Sequence, residues 1–162
     1  MLLALPAFLG KLLKREKQTN FSSDAVRSLS VSRGHMDYSF CYSFYLRKGE
    51  TGWLLDADFA LGAGQPHIEY EARPVTETDA SELLKTAREQ EIASRIRRYK
   101  KPKTKVFVSD ETTHYTSLGF ENGETLGAAV FSGKDLESLF FRLAEKYADA
   151  SSQQSRRSPD GI

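Results

Sequence analysis

The chain has 162 residues, 40% of them apolar and 28% charged, which reads as a soluble globular protein the size of one domain. Its 23 Lys and Arg against 22 Asp and Glu leave a net charge of +1, too balanced for a dedicated duplex binder that must neutralise phosphates. A single cysteine, Cys41, excludes an intramolecular disulfide, a thiolate zinc cluster and a CxxC redox pair.

The chain opens on "MLLALPAFLGKLLKREKQ". Its positive charges follow the apolar stretch, the reverse of a secretory signal, and the stretch is too short to span a bilayer as a helix. Leu2, Leu5, Leu9 and Leu12 fall near one helical face, so the arm offers at most a weak contact with a membrane surface. With the polar "QTNFSSDAVRS" it forms an arm and linker over residues 1–25. The folded unit is expected over 26–149. The tail over 150–162, "ASSQQSRRSPDGI", has little to bury and is expected to be disordered. The expected location is cytoplasmic.

A short strand candidate, "SLSVS", precedes "DYSFCYSFYLR" (37–47), where apolar and polar residues alternate. Tyr38, Phe40, Tyr42, Phe44 and Leu46 point one way; Ser39, Cys41, Ser43 and Tyr45 point the other. Trp53, Leu55, Ala57 and Phe59 continue the buried face in "WLLDADF", and Ile68, Tyr70 and Ala72 continue it in "HIEYEAR". These segments read as an antiparallel meander with one side covered.

A helix follows from Thr76 to Lys101, capped by Thr76 or Thr78, with Glu77, Asp79 and Glu82 at its positive end. Its apolar face drifts, which predicts a bend near 88–91. The candidates "TKVFVSD", "TTHYTSLGFE" and "ETLGAAVF" extend the sheet, and Asn122-Gly123 predicts a type I′ hairpin. A last helix carries the stripe Leu136, Leu139, Phe140, Leu143, Ala144 and Tyr147, with Ser132 and Asp135 as its expected cap. The fold class is therefore α+β: a single antiparallel sheet of six to seven strands, in the order three to four strands, helix, three strands, helix, with both helices on one face.

This order, with "SLGFENGE" after an aspartate-led hairpin and "LESLFFRLAEKY" in the last helix, resembles small uncharacterised bacterial α+β domains. Some of them sit behind lipoprotein signals, which are not read here. The resemblance spans roughly residues 28–148. It implies the fold and carries no assigned activity.

Two charged features stand out. Arg95, Arg97, Arg98, Lys100, Lys101, Lys103 and Lys105 form a basic run that first suits the C-terminal end of a helix and second an electrostatic docking patch. Stacking aromatics for nucleic acid are limited to Tyr99 and Phe107. On the outward face of the meander, Asp56 and Asp58 fall opposite or diagonal to Glu69 and Glu71, with His67 alongside. Solvent, Arg47 or Arg73, or a divalent cation on hard oxygen ligands would relieve that repulsion.

No catalytic residue and no cofactor are read. His35, His67 and His114 are scattered, and Ser30, Ser32 and Ser43 lie in strands rather than in a nucleophile elbow. The leading expectation is a non-enzymatic interaction module with a protein partner, able to self-associate through a sheet edge or the "YSFCYSFY" region. The alternative is a domain that binds a small molecule or divalent cation, or acts as a weak enzyme, through the acidic face. Nucleic-acid or anionic-surface binding through 95–105 ranks below both.

Overall fold

The computed structural model describes residues 21, 25–35, 41–60, 62, 64–100 and 112–155, with backbone alone over 150–155. The elements in chain order are β1 (Val26–Gly34), β2 (Tyr42–Lys48), β3 (Trp53–Ala60), β4 (His67–Val75), α1 (Glu77–Glu89), α2 (Ile92–Arg98), β5 (Thr113–Phe120), β6 (Thr125–Ala128) and α3 (Lys134–Ser155). The six strands form one sheet in the order β4-β3-β2-β1-β5-β6, and every pair is antiparallel. The chain meanders to the β4 edge, crosses one face through α1 and α2, and returns beside β1. None of the described helices is long and apolar enough to cross a membrane.

The period-two pattern lies as expected. Tyr42, Phe44, Leu46, Trp53, Leu55, Ala57 and Phe59 are buried, while Ser43 and Asp58 are exposed. Phe44 occupies the centre of the core. Its ring stacks on Phe140 of α3 at 5.5 Å and 3°, and meets Phe59 and Phe141 at 5.5 and 5.0 Å. Tyr42 and Phe44, the described apolar residues of "YSFCYSFY", are enclosed in this core.

The bend expected near 88–91 divides the first helix in two. Glu91 adopts φ 52, and α2 restarts after it to lie against β5 and β6, while α1 packs on α3. Thr76 is the N-cap of α1, its side chain accepting from Asp79 N–H at 3.2 Å.

Several local expectations need correction. Ala72 does not point inward. The β3–β4 register shifts between Leu55 and Ala57, Ala72 takes φ 50 at this bulge, and Arg73 turns in to donate to the Tyr147 carbonyl at 2.6 Å. The hairpin at Asn122-Gly123 is not type I′, since only Gly123 has positive φ (85°). Gly123 N–H donates to the Phe120 carbonyl and Phe120 N–H to the Glu124 carbonyl, closing a three-residue loop with a left-handed glycine. Asn122 instead accepts from Glu124 N–H through its side chain at 2.9 Å.

Ser132 does not cap α3: its hydroxyl is buried without a hydrogen-bond partner among the described residues, and the helix starts after Gly133 at φ 103. The last strand stops at Ala128, where Val130 N–H folds back onto the Ala128 carbonyl at 2.8 Å. The final helix runs on to Ser155, past position 150 where the tail was expected to begin; "ADASSQQS" contains no helix breaker. The strand expected at 104–110, the inward Tyr38 and Phe40, the arm over 1–20 and the end of the tail lie outside the described residues.

Candidate functional site

The face of the sheet away from the helices carries no packed element among the described residues, and the register lays it out in rows. Glu69, Asp58, Ser43, Ser32 and Tyr115 run across β4, β3, β2, β1 and β5 as successive partners. In the neighbouring row, Asp56, Tyr45, Ser30, Ser117 and Gly127 follow from β3 to β6. The face is thus acidic over β3 and β4 and lined with hydroxyls and glycines over β1, β5 and β6. Ser30 and Ser117 hydroxyls bond each other at 2.7 Å. Tyr115 lies so close over Gly127 that a β-carbon there would meet its hydroxyl.

The structure brings the five acidic-face residues onto one surface. Asp58 and Glu69 are direct partners across β3 and β4. Asp58 meets His67 at 2.6 Å. Asp56 accepts from Arg47 Nε at 3.2 Å, from Arg47 Nη2 at 3.3 Å, and from Ala72 N–H at 2.6 Å. Its hydrogen bond and charge push the Arg47 pKa up. A shallow cleft of about 180 Å³ lies among Ser43, Tyr45, Asp56, Asp58, Glu69 and Glu71. The bulge shapes it, because Ala72 N–H turns toward the Asp56 carboxylate and fixes that side chain against the surface. No sequence pattern announced this contact.

Among the described residues, no three His, Cys, Asp or Glu side chains converge to hold a metal ion. Asp56 is already engaged by a guanidinium and a backbone donor, which leaves it poor as a cation ligand. Millimolar Mg²⁺ or Ca²⁺ is expected to raise the melting temperature by less than about 1 °C. A saturable rise of several degrees, lost in Asp58→Asn and Glu69→Gln, would establish a cation site.

The three described arginines of the basic run are tied into the fold. Arg95 donates to the Phe131 carbonyl and, at 3.4 Å, to the Ser132 carbonyl, holding α2 to the segment before α3. Arg97 stands 4.0 Å from Glu124 of the β5–β6 turn, and Arg98 Nε donates to Ser94 O of its own helix at 3.2 Å. Lys100 is exposed; Lys101, Lys103, Lys105 and Phe107 lie outside the described residues. Compared with family models, with curated proteins and with solved structures, the chain has no match.

The exposed aromatics complete the picture. Tyr45 and Tyr115 are 39% and 49% accessible on the uncovered face, and Tyr45 lines the acidic cleft. Alternation places Tyr45 outward; that it borders the carboxylates follows from register, with Asp56 as its direct partner. A second, larger groove of about 360 Å³ runs between α1 and α3. There Glu82 is paired with Arg142 at 2.9 Å and Asp135 with Gln90 at 3.2 Å.

Proposed function

We propose that the protein is a non-enzymatic binding module that docks a basic segment of a partner protein on the uncovered face of its sheet. One observation carries the reading. Asp58 and Glu69 stand directly opposite each other on an exposed surface, with Glu71 and Asp56 beside them. Like charges so opposed cost a sheet up to about 1 kcal/mol, and stability alone favours a threonine or lysine at either position. Four carboxylates there face one guanidinium, Arg47, with His67 at the margin. Lys or Arg from a partner relieves the repulsion, and the exposed Tyr45 ring offers a face for a cation.

The charged and bulged β4 edge also supports docking on the face rather than strand addition, since Glu69, Glu71, Pro74 and the Ala72 bulge all oppose edge pairing. The groove between α1 and α3 is the weaker candidate, because its carboxylates already have partners within the chain.

The test is a titration with a labelled oligo-arginine peptide, read by backbone amide shifts and repeated at rising salt. Perturbations are expected at Ser43, Tyr45, Asp58, Glu69 and Glu71. In Asp58→Lys/Glu69→Lys, affinity is expected to fall about tenfold or more with the fold intact. Shifts confined to α1 and α3, or an unchanged affinity in that variant, would sink the proposal.

A further inference from the structure

On the opposite side of the sheet, at the end where β1 stops and β5 begins, the core closes on charged groups instead of apolar ones. Arg33 has Tyr42 of β2 as its direct partner on one side and His114 of β5 on the other. Period two puts all three on the helix-facing side, since Val31, Phe44 and Thr116, two residues along each strand, are buried there. Glu137, in the first turn of α3, reaches down to this row and accepts a hydrogen bond from the Tyr42 hydroxyl. Phe131 packs its ring 4.7 Å from the His114 ring, and Phe141 packs edge-on to Tyr42 at 5.0 Å. Arg33, His114 and Glu137 remain partly accessible, so the row forms a rim rather than a sealed core.

The rim is not balanced within itself. Arg33 Nε is buried, and it has no hydrogen-bond partner among the described residues. An N–H withdrawn from water with no acceptor is costly, even on a side chain that stays partly accessible, and buried donors are normally matched. The Glu137 carboxylate on the same rim is turned to Tyr42. His114 is held below its ordinary pKa, first by burial and then by Arg33, against a smaller opposing pull from Glu137. An incoming oxyanion would supply the missing acceptor.

We propose that Arg33 and His114 form a binding site for a small oxyanion, a carboxylate or a phosphate monoester, at the rim of the core. Arg33 meets the ligand with a terminal nitrogen, and Nε–H, covered in the ligand-free chain, completes the fork geometry that suits both chemistries once that cover is displaced. His114 adds a second donor, and the Phe131 ring borders the organic portion. Glu137, fixed by Tyr42, disfavours ligands of high negative charge. The site lies on the other side of the sheet from the acidic face and is independent of the docking proposed there.

The test uses the wild-type chain and follows the Arg33 Nε–Hε resonance by NMR while inorganic phosphate or acetate is added at constant ionic strength, with chloride as control. Saturable shifts at Arg33 and His114 are expected at millimolar ligand. The His114 pKa is expected to rise on binding, because the anion favours the imidazolium. Phosphate moving the signals at lower concentration than acetate identifies the phosphate class; the reverse identifies the carboxylate class. Arg33→Lys, which keeps the charge but loses Nε–H, is expected to weaken binding about tenfold or more. An Nε–Hε signal that moves equally with chloride, or stays put to about 50 mM of either anion, would overturn the site, since a millimolar dissociation constant predicts near saturation there.

Discussion

Phe44→Ala is expected to lose about 3–5 kcal/mol of unfolding free energy, the largest effect of any substitution considered for this chain. The phenylalanine has no accessible surface and contacts the rings of Tyr42, Phe59, Phe140 and Phe141, so two strands and α3 meet on it. Removing the ring forfeits its transfer from water and leaves a cavity between a sheet and a helix, neither of which can collapse into it. Against a typical domain stability of about 5–15 kcal/mol, this brings the chain close to unfolding. The adjacent Tyr45→Ala provides the internal comparison. Tyr45 is 39% accessible on the uncovered face, and its loss is expected to cost no more than about 1 kcal/mol. Urea unfolding of the two variants measures the difference. Comparable losses would mean that the sheet is not covered on one side only.

Asp79→Ala is expected to cost about 2–3 kcal/mol near neutral pH, and to flatten part of the acid limb of the stability profile. Asp79 sits in the first turn of α1, where its carboxylate accepts from Lys146 Nζ at 2.7 Å and from the buried Tyr147 hydroxyl. The Tyr147 hydroxyl also accepts from Thr76 N–H at 2.9 Å, so one carboxylate fastens the start of α1 to α3. Burial by itself raises the Asp79 pKa, but the hydrogen bonds from Lys146, Tyr147 and Thr76 together outweigh it and hold the carboxyl below its ordinary 3.8.

The sign follows from that direction. With the folded pKa below the unfolded one, this contribution is fully present above pH 3.8 and is lost as pH falls toward the folded value. Lys146 agrees, its pKa being raised chiefly by the hydrogen bond to Asp79. Unfolding free energy measured from pH 6 downward is therefore expected to fall more steeply in the wild type than in Asp79→Ala, with the two curves converging in acid. Parallel curves would show that the carboxylate is no tether.

The charges of this protein serve different ends according to where the fold places them. Arg95 and Arg73 both spend their guanidinium on main-chain carbonyls, one before α3 and one within it. Asp79 is structural, although it resembles the other acids of α1 in sequence. Asp58, Glu69 and Glu71 are exposed on an uncovered surface, and Arg33 is half-enclosed with an unmatched donor. These last two groups exceed what the fold needs, and the proposed binding surfaces rest on them.

The sequence by itself determined the one-sided sheet, the break near Glu91 and the helix stripe from Leu136 to Tyr147, because each depends on side-chain period along a single element. It also placed the acidic residues outward, since parity is all that requires. Only the tertiary structure decided the bulge that turns Ala72 out and Arg73 in, the choice of Gly133 over Ser132 at the start of α3, and the three-residue loop at Asn122-Gly123. Each of these depends on what the segment packs against, as the bulge depends on Asp56 of the neighbouring strand. The meeting of Arg33, His114 and Glu137 was beyond local reading for the same reason: the three lie on β1, β5 and α3, and pairing across 80 residues of chain, not spacing along it, makes them neighbours.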